Sequence, residues 1–238
     1  MLIFGIDTCC NAATAALLDG NRLVAQTVIN HGKTHSQIMM SAVQDMFKVA
    51  QLSPREVEVF AAATGPGSFT GVRIGVATAK AMAQAANKPC VAVSTLEALA
   101  YSSKLFDGIA APILDARRNQ VYNALFDCKK GEMTRLCDDR ALALSELLDE
   151  LSGYDRDVLF MGDGIFVFEQ EIKERLKDRA FFAPQTVSMN LAGGVAAVAA
   201  EKYERGETVS YSELVPSYVR LSQAERDRLE KMKKKYRK

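Results

Sequence analysis

Residues 57–88, VEVFAAATGPGSFTGVRIGVATAKAMAQAANK, constrain the fold more than any other part of this chain. The run 57–63 is short, apolar and rich in β-branched residues, and turn residues bound it, which predicts a buried strand. Gly65-Pro66-Gly67 then forbids regular structure: the glycines offer positive φ, and proline fixes its own φ and lacks a donor. Ser68 or Thr70 is placed to accept from the free N–H groups that open the next helix. In that helix Arg73, Lys80, Gln84 and Asn87 share a narrow arc, and nearly every other position is Gly, Ala, Val, Ile or Met. One buried face needs an apolar stripe of only about a third of the circumference. This helix is apolar over far more, and Gly71, Gly75 and Ala79 recur at the spacing that lets two backbones approach. It is expected to be buried on two sides. The glycine-rich turn reads either as a tight strand-to-helix connection or as a phosphate cradle at a helix N-terminus. The Walker pattern is absent, since no Gly-Lys-Ser/Thr follows the loop.

The 238 residues suit one large domain or two small lobes. With 30 Lys and Arg against 29 Asp and Glu, no global attraction to nucleic acid or to a membrane is implied. MLIFGID reads as neither a basic leader nor a long apolar core, and no later run is long enough to span a bilayer, so a cytoplasmic protein is expected. The five cysteines include no C-x-x-C pair, and reduced thiols are the expected state.

In chain order, residues 2–6, 13–18 and 22–29 read as a three-stranded meander, with Asp19-Gly20 as a hairpin turn. Asp7-Thr8 ends the first strand. There an acidic residue either holds a metal–phosphate complex or caps the turn by accepting backbone N–H groups. His31 and His35 lie four apart in HGKTH, a zinc-like spacing on a helix. Gly32 argues against a helix there, and no carboxylate follows, so a structural or capping histidine is the plainer reading. A helix over 34–51 carries apolar residues over more than half its circumference, including Ile38, Met39, Met40, Ala42, Val43 and Met46. Such a face suits either burial inside its own domain or an adaptable partner surface.

Residues 90–93 form a short strand, Ser94 and Glu97 are spaced as a capping box, and 102–108 is the best linker. A strand over 109–114, the turn Asp115-Ala116-Arg117-Arg118 and a strand over 120–126 follow. Asp115 and Arg117 either pair across the turn or present a cation to a cleft. Next come a helix over 144–151, a strand over 158–161, Gly162-Asp163-Gly164 as a turn or a phosphate approach, and an alanine-rich helix over 190–203. The expected division is a first lobe over 1–104, a second over 105–222 whose last helix packs back on the first, and a basic tail over 223–238. From residue 226 the tail has eight Lys or Arg against Asp227 and Glu230, a local charge of +6, which leaves −5 on the rest. It reads as a solvated end or as a phosphate-contacting arm through Lys233, Lys234, Lys235 and Arg237.

GPGSFTGVRIGVATAKAMA closely resembles the signature of the TsaB (YeaZ) family. Ile6-Asp7-Thr8-Cys9, with Cys in place of Ser, His35-Ser36, Ser94 to Ala100, D-A-R-R-N-Q-V-Y and Pro216-Ser217-Tyr218-Val219-Arg220 are similar to further motifs of that family, so the resemblance covers about residues 1–220. It implies an α/β protein with the two-lobed actin-like ATPase (ASKHA, ribonuclease H-like) fold, mixed sheets flanked by helices. It also implies a non-catalytic scaffold subunit that binds the paralogue TsaD. The complex transfers threonylcarbamoyl from threonylcarbamoyl-adenylate to the adenosine beside the anticodon, with the ATPase TsaE as a further partner. The metal-binding histidine pair of TsaD lies elsewhere in the fold, so no metal site is expected here. No cofactor is required, although residual ATP or ADP binding at Asp7, Thr8, Arg117, Gly162 and Asp163 stays open. The expected surface for TsaD and for a homodimer is Ile38, Met39, Ala42, Met46, Gly71, Val72, Gly75, Val76 and Ala79. The alternative is an enzyme, a metal-dependent peptidase or a small-molecule kinase; H-E-x-x-H, G-x-S-x-G and a Walker lysine are all missing from the sequence.

Overall fold

A computed structural model describes residues 1–31, 34–189 and 191–220. Its first sheet grows from the Asp19-Gly20 hairpin. β1 (Leu2–Asp7), β2 (Ala13–Asp19) and β3 (Arg22–Ile29) run antiparallel. β4 (Val59–Ala63) and β5 (Cys90–Val93) add in parallel, giving the order β3-β2-β1-β4-β5. β1 and β4 are buried on both faces, which is why they read as continuous apolar runs rather than as alternation. On one face lie α1 (His35–Ala50) and α2 (Phe69–Ala86), with Phe47 of α1 stacked on Phe4 of β1. On the other lies α7 (Ala192–Glu204). Gly5 of β1 admits its backbone there, since a Cβ at Gly5 would stand 2.7 Å from the Ala192 carbonyl oxygen.

The second sheet repeats the plan. β6 (Gly108–Asp115), β7 (Gln120–Asn123) and β10 (Arg140–Ala143) are antiparallel, and β11 (Val158–Met161) and β12 (Ala180–Phe182) add in parallel. α4 (Leu144–Ser152) and α5 (Ile165–Leu176) bury their leucines and isoleucines against this sheet. α3 (Thr95–Ala100) lies between the sheets, with Leu96 and Leu99 packed against Leu114 and Phe126.

The strand expected over 120–126 is two strands. β6 pairs β7 along Ile113–Asp115 and β8 (Phe126–Lys129) along Gly108–Ala110, and β8 turns into β9 (Glu132–Arg135). At the break, the Asn123 side-chain amide donates to the carbonyls of Pro112 (3.0 Å) and Ala124 (2.9 Å). Proline within β6 has no N–H for a continuous ladder, and the chain crosses over beside it.

After α7 the chain becomes a strap. Val209 and Cys90 exchange backbone hydrogen bonds at 2.9 Å, Leu214 is fully buried, and Lys80 of α2 donates to the Ser212 carbonyl (3.3 Å). The Ser217 N–H donates to the Thr64 carbonyl (2.7 Å), and the Arg220 guanidinium reaches the second lobe at the Ala116 carbonyl (2.9 Å). Among the described residues no helix is long and apolar enough to cross a membrane.

Candidate functional site

The turn after β1 lies under α2. The Asp7 carboxylate accepts the Cys9 N–H at 2.7 Å, the capping role open to it from sequence. The Thr8 hydroxyl donates to the Gly71 carbonyl (2.6 Å). A Cβ at Gly71 would stand 2.0 Å from the Thr8 carbonyl oxygen, and one at Gly75 would stand 2.7 Å from the Thr8 hydroxyl. The small-residue row of α2 therefore admits the chain's own first turn and not a second molecule. This corrects the expected partner surface. Met39, Met46, Gly71, Val72, Gly75, Val76 and Ala79 are all buried in the first lobe's own core, and only Ile38 and Ala42 of that set are half-buried.

The outer rows of the two helices present different residues. A groove of about 690 Å³ is lined by the exposed Met40, Ala81 and Ala85 and the half-buried Met82, with the buried Val43 and Phe47 beneath them. Met40 is 53% exposed and Val49 83%. Seven of the nine residues expected to form the interface are thus buried in the chain's own core, and the exposed rows of both helices carry other residues. The glycine row, which looked like a seam for another chain, is the row that marks the inward side.

The second candidate is the cleft between the sheets, about 580 Å³, lined among others by Cys10, His35, Ser68, Asp115, Arg117, Asp163, Tyr218 and Arg220. Of the five residues expected to face an anion, Arg117 and Asp163 line it. Asp7 and Thr8 are buried beneath the turn. Gly162 also lies below, where a Cβ would stand 2.2 Å from the Ile113 carbonyl oxygen. The Asp115 carboxylate accepts the Arg117 N–H at 2.7 Å and pairs with its guanidinium at 3.1 Å. Asp163 accepts the Asp115 N–H at 3.0 Å. Burial raises the Asp163 carboxyl above its ordinary value, and the Asp115 charge adds to the rise, against the Asp115 N–H and the Arg117 cation. Burial, with the Asp7 charge, likewise pushes the Cys9 thiol well up, so it is not a ready thiolate.

His35 is the first helical residue of α1, and its Nε2 lies 2.8 Å from the Cys10 carbonyl, so it ties α1 to the first turn. Thr34, and not His35, occupies the capping position. Among the described residues no three His, Cys, Asp or Glu side chains come together as a metal site. The strap supplies what the sequence reading missed. Tyr218 stacks on Phe69 at 4.8 Å, and the Arg73 guanidinium lies 3.9 Å over the Phe69 ring and donates to the Tyr218 hydroxyl (2.8 Å). The only sequence signal for it was the closing P-S-Y-V-R motif, which does not say where the strap lands. Lys233, Lys234, Lys235 and Arg237 lie outside the described residues.

The family model described as TsaD, tRNA N6-adenosine threonylcarbamoyltransferase, matches residues 23–228. The chain is 35% identical over 233 residues to the tRNA threonylcarbamoyladenosine biosynthesis protein TsaB of Bacillus subtilis (strain 168), covering 98% of this chain and 100% of that relative. It is 28% identical over 229 residues to the protein of the same name from Escherichia coli (strain K12), covering 92% and 95%. The crystal structure of YeaZ from Pseudomonas aeruginosa superposes with a TM-score of 0.76 at 26% identity, over 91% of this chain and 99% of that one. The duplicated mixed sheets with flanking helices are the expected actin-like fold. Both lobes and the closing strap fall within a match that spans an entire relative, and this chain belongs to the TsaB (YeaZ) family.

Proposed function

We propose that this chain is a non-catalytic partner subunit in tRNA threonylcarbamoyladenosine biosynthesis. Through the outer faces of α1 and α2 it pairs with a TsaD-type transferase, and with a second copy of itself when that partner is absent. It supports transfer of threonylcarbamoyl from its adenylate to the adenosine beside the anticodon, in a cytoplasmic complex that also engages a TsaE-type ATPase. The observation that carries this reading is the groove along the exposed Met40, Ala81 and Ala85 and the half-buried Met82, on two helices already anchored by their inner faces. Contiguous exposed apolar surface of this kind marks interaction sites. Because a transferase family model matches residues 23–228, a partner of similar fold can meet the groove with equivalent helices.

The test is a charge placed on the outer rows. Met40→Glu combined with Ala81→Glu, both at exposed positions, leaves the core untouched and puts unpaired charge into the contact. Self-association, pairing with the transferase and threonylcarbamoyladenosine formation in cells that depend on this chain are expected to be lost together. Leu105→Glu, 93% exposed and outside the groove, is the control. A folded double variant that pairs normally overturns the reading. Residual binding of ATP or ADP in the cleft belongs to the same proposal, with Arg117 and Arg220 as the anion-facing groups; calorimetry with Arg117→Ala reads it.

A further inference from the structure

The turn between β6 and β7 holds Arg117, Arg118 and Asn119 all at positive φ, 64°, 57° and 55°. The left-handed region costs about 1–2 kcal/mol for each arginine and is more accessible to Asn, so the run persists where the surroundings impose it. Here they do. The Asp115 carboxylate holds the Arg117 N–H, the Ala116 N–H donates to the Gln120 carbonyl (3.0 Å), the Gln120 N–H donates to the Arg117 carbonyl (3.1 Å), and the Leu144 N–H donates to the Asn119 carbonyl (3.2 Å). The result is a turn held by four hydrogen bonds with both arginine side chains exposed, the Arg117 guanidinium 3.1 Å from the Asp115 carboxylate. The Arg117 side chain is 87% exposed, and Arg118 is exposed and makes no ion pair or hydrogen bond among the described residues.

A third guanidinium comes from the strap. Arg220 donates to the Ala116 carbonyl within this same turn, and next to it Tyr218, 43% exposed, lies stacked against Phe69 with Arg73 beside it. The sequence continues from Arg220 into the residues whose local charge is +6, while the rest of the chain carries −5. The net positive charge thus lies in the sequence that follows Arg220, and Arg220 is itself bonded to the arginine turn.

We propose that this turn, Arg117 and Arg118 with Arg220 and Tyr218 alongside, is a contact surface for the phosphate backbone of RNA. Guanidinium forks match phosphate oxygens bidentately, and separate cations on an exposed rim suit phosphates spaced along a strand. A mononucleotide held in the cleft would leave Arg118, which does not line it, unused. The exposed tyrosine face adds a platform on which a base can stack. The proposal rests on the reading that this chain serves a tRNA-modifying complex, but its test does not depend on pairing.

Labelled, unmodified tRNA is titrated with the full chain, alone and mixed with the transferase, across a salt series. Arg117→Gln with Arg118→Gln is expected to weaken binding about tenfold or more at 0.1 M salt and to flatten the log–log salt slope by about 1.4 to 1.8, roughly 0.7–0.9 per lost phosphate contact. Arg117→Lys with Arg118→Lys is expected to restore most of the slope. Pairing measured by size-exclusion chromatography is expected to stay unchanged in both. Unchanged affinity and slope in a folded Gln variant overturn the proposal, as does a wild-type chain that binds no tRNA in either state. Loss of ATP or ADP binding with tRNA binding intact also overturns it and assigns the arginines to a small ligand. A wild-type chain that binds tRNA through these arginines but never pairs with the transferase breaks the functional reading and leaves this one standing.

Discussion

At the end of β1 the Asp7 carboxylate accepts the N–H of Cys9 at 2.7 Å, and at the end of β6 the Asp115 carboxylate accepts the N–H of Arg117, also at 2.7 Å. Each turn is approached by a loop that follows a parallel strand, Gly65-Pro66-Gly67 after β4 and Gly162-Asp163-Gly164 after β11, with the first glycine of each at positive φ. From there the lobes diverge. In the first, α2 lowers Gly71 and Gly75 onto Thr8, so Asp7, Thr8 and Cys9 are sealed in. In the second, Ala116 is the last buried residue and three exposed side chains follow it. The same local hydrogen bond thus serves a structural joint in one lobe and a presented tip in the other. In the first lobe the turn is sealed because Gly71 and Gly75 let the α2 backbone close over Thr8.

The sealed turn should be the fragile one. Gly71→Ala drives a methyl group to 2.0 Å from a backbone oxygen that cannot rotate away, so α2 has to lift. We expect a loss of about 3 kcal/mol or more, at the upper end of overpacking costs. Gly75→Ala meets a hydroxyl that can turn aside, so it should cost less. Denaturant titration of both variants checks the order; a Gly71→Ala protein as stable as Gly75→Ala would mean that the first turn is not clamped.

A smaller contrast lies in the carboxylates. Asp7→Ala leaves the Cys9 N–H buried without its acceptor, which costs about 1–3 kcal/mol. Asp115→Ala frees an N–H at an exposed residue that water can reach and removes an ion pair whose cation is already solvated, so about 1 kcal/mol or less is expected. Equal losses in matched thermal melts would show that the two turns are equivalent after all.

The sequence made the β1–β2–β3 meander, the β4–α2 unit and both Gly-x-Gly loops legible, because apolar runs, a hairpin dipeptide and paired glycines each act within a few residues. The side on which α2 spends its glycines was not legible. A four-residue row of small residues says that a backbone comes close, but whether that backbone belongs to Thr8 of the same chain or to another molecule is a long-range fact. The split of 120–126 into β7 and β8 depends on Pro112 in a different strand, and the strap's passage over α2 depends on contacts between residues more than a hundred positions apart, such as Arg73 with Tyr218. Among the residues expected to face an anion, Arg117 and Asp163 line the cleft through turns that the sequence did show, while Asp7 and Thr8 are covered by packing that it did not.

The subtlest difference between the lobes is the middle residue of the two loops, Pro66 in one and Asp163 in the other. Burial raises the Asp163 carboxyl above 3.8, so between 3.8 and its folded value the native chain holds the proton that the unfolded chain has released. Stability from this group is full below that window and falls as pH rises through it. Asp163→Asn keeps a side-chain oxygen to accept the Asp115 N–H and removes the titration. The fall in melting temperature as pH rises from 3.8 through the folded value should therefore be shallower in the variant than in the parent. Arg117→Gln should make it steeper, because the guanidinium is one of the groups that hold the carboxylate ionised. The first lobe has proline, which does not titrate, at the matching place, and the comparison of parent with Asn variant reads the one carboxyl of the second lobe's loop. Superimposable pH profiles for parent and Asn variant would mean that water reaches the Asp163 carboxyl freely from the cleft that it lines.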